Sequence, residues 1–63
     1  MRKYRLLCLN ADNGHMEVER HFEAANDTAA IELANLWRKH RPAELWRSYS
    51  VVMHWKVQMS GPL

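Results

Sequence analysis

Cysteine occurs once in this chain, as Cys8, so no disulfide can close within it. Glycine and proline are nearly as sparse, with two of each, and Gly14 and Gly61 stand too far apart to make a glycine-rich phosphate loop. No long apolar run exists either. The longest, Leu6-Leu7-Cys8-Leu9, falls far short of the ~20 residues that cross a bilayer. Arg2, Lys3 and Arg5 precede that run like a basic leader, but it is also too short for a secretory core. The expected location is therefore the cytoplasm, where a lone thiol serves as a small buried hydrophobe.

What is present suffices for one small core. Of 63 residues 48% are apolar, and a chain of that length buries only about 60% of what its unfolded form exposes. Charged residues make up 25%, a composition that argues against a disordered tail. The net charge of +2 conceals a division into three blocks. Arg2, Lys3 and Arg5 make the start basic. Asp12, Glu17, Glu19, Glu23, Asp27 and Glu32 make the middle acidic against Arg20 alone. Arg38, Lys39, Arg41, Arg47 and Lys56, against Glu44, make the end basic again. The molecule is dipolar along its chain rather than uniformly basic.

Periodicity divides the chain into elements. Residues 4–10 hold the apolar run, and neighbouring strand residues point to opposite faces, so this segment is apolar on both sides. That suits an interior strand. Ala11-Asp12-Asn13-Gly14 is a turn, with Asn-Gly its strongest signal. Loops of two and three residues give opposite face parity, so the hairpin register stays open. From His15 the alternation is clean: Met16, Val18, Phe22 and Ala24 share a face interrupted only by Arg20, and His15, Glu17, Glu19, His21 and Glu23 share the other. Asn26 or Asp27 then caps a helix. Its apolar stripe is Ala30, Leu33, Ala34 and Trp37, with Ile31 at the edge, and Pro42 predicts its end near His40 or Arg41. Glu44–Arg47 reads as a short strand and Ser48-Tyr49-Ser50 as a turn. Val51, Met53, Trp55, Val57 and Met59 alternate with polar or smaller residues in a last strand.

The expected fold class is α+β, in the order ββαββ: a four-stranded antiparallel sheet with one helix packed on one face. Residues 1–59 form one domain and 60–63 a C-terminal tail.

Tyr4 and Leu6, Asn10 to Gly14, Phe22-Glu23-Ala24, the capped alanine-rich helix to Ala34, and Glu44-Leu45-Trp46 make a recurring pattern. In these motifs the chain resembles a family of short uncharacterised bacterial proteins, over roughly residues 4–47. The resemblance implies the ββαββ fold and carries no activity with it. Where such relatives have glycine after the tryptophan, this chain has Arg47-Ser48-Tyr49 and a longer strand beyond.

Chemistry is sparse. Along one strand face, His15, Glu17, Glu19 and His21 are spaced about 6.6 Å apart in alternate positions, too far to close a shell around one zinc ion unaided. A solvated face paired with Lys3 or Arg5 explains them. Cys8 has no histidine near it in sequence to activate the thiol. No catalytic, cofactor or metal residue is expected, and no enzyme. Arg38, Lys39, Arg41 and Arg47, beside Trp46, could pair phosphates and stack bases, but the acidic strand face would repel the same ligand. Trp37, Trp46 and Trp55 are hard to hide in so small a core, since one helix covers only one sheet face. Val51, Met53, Trp55 and Val57 are therefore the interface candidates, and a second copy of the chain the expected partner, giving a homodimer. The expectation is a small protein-interaction module. A nucleic-acid-binding or regulatory protein, or a small inhibitor docking on a larger bacterial complex, is the alternative.

Overall fold

A strand with apolar side chains on both faces belongs in the middle of a sheet. The computed structural model, which describes residues 1–56, places it there. The elements are β1 (Arg2–Leu9), β2 (Met16–Ala24), α1 (Asp27–Arg38), β3 (Ala43–Arg47) and β4 (Ser50–Trp55). They form one antiparallel sheet of four strands in the order β2-β1-β3-β4, with α1 on one face. This is the α+β, ββαββ architecture. The expectations for Val57, Met59 and the 60–63 tail lie outside the described residues.

The first hairpin settles the open register. Tyr4 stands opposite Phe22 and Leu6 opposite Arg20, so the even-numbered residues of β1 and those of β2 from Val18 to Ala24 share the helix-facing side. The connection spans residues 10–15 and is organised by Asn10. Its Oδ1 accepts from the amides of Asp12 (2.7 Å) and Asn13 (3.2 Å), and its carbonyl accepts from Gly14 N–H at 2.8 Å. Gly14 has φ 74°, where a side chain would be strained. A register shift between Cys8 and Leu9 leaves Glu17 as an extra residue on β2 and sets Met16 opposite Leu9, which corrects the single face expected from Met16 to Ala24: Met16 falls on the open side.

The core is built from small residues at the helix and larger ones on the sheet. Ala30 and Ala34 meet Tyr4, Leu6, Cys8, Ala24, Ala43 and Leu45, all buried. Alanines at the contact let the helix approach closely, and Phe22, Ile31, Trp37, Val52 and Trp55 fill the margins. This corrects the expected stripe. Leu33 is 36% exposed because it lies about 60° around the helix from Ala30, off the line of contact. Trp37 is half-buried, edge-on to Phe22 with ring centroids 4.9 Å apart.

Both helix ends follow from local chemistry. Asn26 is the N-cap, its Oδ1 accepting from Ala29 N–H at 2.8 Å, which leaves Asp27 free for another role. The helix stops at Arg38, a little before the expected end, because Lys39 (φ 51°) and His40 (φ 67°) turn left-handed. Among the described residues, no helix is long and apolar enough to cross a membrane.

The second hairpin carries a further correction. Ser48-Tyr49 joins β3 to β4, with Ser48 at φ 56°. Leu45 faces Met53 while Trp46 faces Val51, so Val52 is an extra residue on β4. Val51 consequently shares the open face with Trp46, whereas Met53 and Trp55 share the helix side with Leu45 and Ala43. The expected single stripe is divided by this bulge.

Candidate functional site

Helix ends expose unpaired carbonyls, and basic side chains within reach satisfy them. Arg41 donates from Nε to Arg38 O at 2.9 Å and from Nη2 to Trp37 O at 3.4 Å. Arg38 donates from Nε to Asn35 Oδ1 (2.8 Å) and from Nη1 to Arg41 O (2.9 Å), with its guanidinium 5.1 Å from the Trp55 ring centre. Two of the four basic candidates thus close the helix, while Lys39 and His40 are exposed beside them. Arg47 lies elsewhere. Its Nη1 donates to both oxygens of Asp27, at 3.0 and 3.1 Å, near the start of α1. A helix of 12 residues is about 18 Å long, so Arg47 and the Arg38–Arg41 cluster occupy opposite ends.

Asp27, read from the sequence only as an alternative N-cap, is a junction between three elements. The buried Tyr4 donates its hydroxyl to Asp27 Oδ1 at 2.6 Å, and Arg2 Nη1 lies 3.7 Å from the same oxygen. The Tyr4 hydrogen bond, followed by the charges of Arg47 and Arg2, holds the Asp27 carboxyl below the usual range against its desolvation. Burial, and then the bond to Asp27, pushes the Tyr4 hydroxyl above its ordinary value. One carboxylate therefore ties the beginnings of β1 and α1 to the end of β3. Only the acidic first turn hinted at it; the partners come from 20 and 23 residues away.

The sheet face away from the helix is charged. Lys3, Arg5 and Leu7 of β1 stand opposite Glu23, His21 and Glu19 of β2. Arg5 Nε is 3.9 Å from Glu19 Oε2, the cross-strand pairing expected for that face, and its guanidinium lies 5.7 Å from the Trp46 ring centre. Trp46 donates its indole N–H to Glu44 Oε1 at 3.2 Å. Glu19 and His21 meet at 3.0 Å in the open. Among the described residues no three His, Cys, Asp or Glu side chains come together as a metal site, and Cys8 is buried on the helix side.

The sheet has two outer edges, and they differ chemically. β2 carries Glu17, Glu19, Arg20 and Glu23 within its nine residues. β4 carries no Asp, Glu, Lys or Arg from Ser50 to Trp55. Of the interface candidates, Val51 and Met53 are exposed and Trp55 is half-buried against the core and under Arg38. Val57 lies outside the described residues. Exposed apolar groups also occur where burial was expected, at Met16 and Val18 on β2 and at Leu33 on the helix; Leu36, outside the expected stripe, is exposed as well. Periodicity found the face of Val18 but could not show that the helix stops short of covering it, nor that the bulge at Glu17 turns Met16 to the open face with Leu9. Against protein-family models, curated proteins and solved structures the chain finds no match, so its own geometry must carry the functional reading.

Proposed function

We propose that the chain is a small, non-enzymatic protein-interaction module of the bacterial cytoplasm that self-associates through the outer edge of β4. The observation that carries this reading is the contrast between the edges. An edge strand presents unpaired N–H and C=O groups, and charge on it is the usual defence against a second chain. β4 has no such defence between Ser50 and Trp55, while its Val51 and Met53 stay exposed. Two-fold pairing of β2 would bring glutamates against glutamates; two-fold pairing of β4 would not. A β4 dimer would join the sheets and cover apolar area that a chain of 63 residues has little means to cover alone.

The nucleic-acid alternative has less support. Arg38, Arg41 and Arg47 each have part of the guanidinium engaged within the molecule, and the open face carries Glu19, Glu23 and Glu44.

Light scattering on the purified chain tests the reading. The expected mass is twice 7.5 kDa, falling to a folded 7.5 kDa species in Val51→Lys and Met53→Lys, with Lys56→Glu unchanged. Trp55 is unsuitable for substitution, since it also packs against the core. A wild type that stays at 7.5 kDa at high concentration overturns the proposal.

A further inference from the structure

We infer that the outer edge of β2 is a second docking edge, suited to an extended segment of another protein in which basic residues alternate with apolar ones. The inference concerns a surface separate from β4 and does not depend on self-association. β2 is the longest strand, nine residues, and among the described residues its only sheet neighbour is β1. A strand added to it would gain backbone hydrogen bonds along that edge and send alternate side chains to the two faces.

Those faces ask for different partners. On the open side the added strand would meet Glu19, His21 and Glu23, with Glu17 and Met16 at the bulge. On the helix side it would meet Val18, which is 40% exposed, and the half-buried Phe22, while Met16, past the bulge, lies on the open side with Leu9. Beyond them stands the flank of α1 from which Trp37 reaches Phe22, and one turn before Trp37 on that flank is the exposed Leu33. Arg20, the one charge on this side, lies with its guanidinium 4.0 Å from the Trp37 ring centre and is occupied there.

Charge then selects the occupant. A second β2 is rejected by its own glutamates, and a nucleic acid by the same charges. A strand with lysine or arginine on one face and aliphatic residues on the other satisfies both sides of the edge.

The test uses the full chain and a fluorescently labelled octapeptide of alternating lysine and valine, read by anisotropy. Three control peptides accompany it: alternating glutamate and valine, a block isomer of the lysine–valine peptide, and the same alternating peptide N-methylated at every second residue. The alternating lysine–valine peptide should bind roughly tenfold more tightly than each control, and Glu19→Gln/Glu23→Gln should weaken it by a similar factor. Met53→Lys on β4 should leave it unchanged. Equal binding of the block or N-methylated peptide would reduce the contact to bulk charge and overturn the inference, as would tighter binding of the glutamate peptide or of a single-stranded oligonucleotide. Should the double variant unfold, the four peptides on the wild-type chain still decide the matter.

Discussion

Single residues hold strain and charge at defined points. Ser48 is the clearest case, a side chain at φ 56° in a connection of two residues. Left-handed backbone costs a non-glycine residue about 1–2 kcal/mol, part of which glycine returns through the greater freedom of its unfolded chain. Ser48→Gly should therefore stabilise by about 0.5–1 kcal/mol and raise the melting temperature by roughly 2–8 °C in calorimetry. Asp27 is the electrostatic counterpart. Its carboxyl titrates lower when folded than when unfolded, so the stability it contributes is complete above the unfolded value and disappears as pH falls through the folded one. Tyr4 works in the other direction: its folded value is raised, and its contribution is lost as pH climbs through that value. Asp27→Asn should flatten the fall in melting temperature below about pH 4 while lowering the plateau at neutral pH. An unchanged acid limb in that variant would mean that other carboxylates set it.

Elements obey their periods wherever only one neighbour matters. The alternation from Val18 to Ala24 gave β2 its faces, and the doubly apolar Leu6–Leu9 run gave β1 its central place, because both are properties of a strand alone. The helix was less legible. Its wheel shows an arc of apolar residues, but which part of the arc meets the sheet depends on Ala24 and Ala43, contributed by other elements. Contact centred on Ala30 and Ala34, and Leu33 moved to the rim. The bulges at Glu17 and Val52 were hidden for the same reason, since a register shift belongs to a pair of strands. So was the Asp27 junction, whose cost and benefit depend on Tyr4 and Arg47. Truncation distinguishes the helix positions. Trp37→Ala should destabilise by about 2–4 kcal/mol, because it removes the partner of Phe22 and Arg20, whereas Leu33→Ala should cost under about 1 kcal/mol in urea unfolding. Equal losses would place Leu33 in the core after all.

At the scale of the whole molecule the margin is small. A domain of 63 residues with no disulfide can hold only about 3–5 kcal/mol from its core, so association becomes a large part of its stability. If β4 joins two copies, the melting temperature should climb as protein concentration is raised, and Met53→Lys should remove that dependence. A flat response in the wild type would count against the dimer. The strand order has a separate consequence, for the time course of folding. Two of the three pairings, β1 with β2 and β3 with β4, are hairpins between successive strands. The third joins Arg5 to Trp46 and Cys8 to Ala43, and the whole helix lies inside the loop that it closes. Closing a loop spends chain entropy before any contact repays it, so the two hairpins should form early and the β1–β3 seam should set the rate. Leu6 and Leu45 face each other in that seam, which makes Leu45→Val a change that slows refolding, while Ser48→Gly, in a turn already formed when the seam closes, should speed refolding and leave unfolding nearly unchanged.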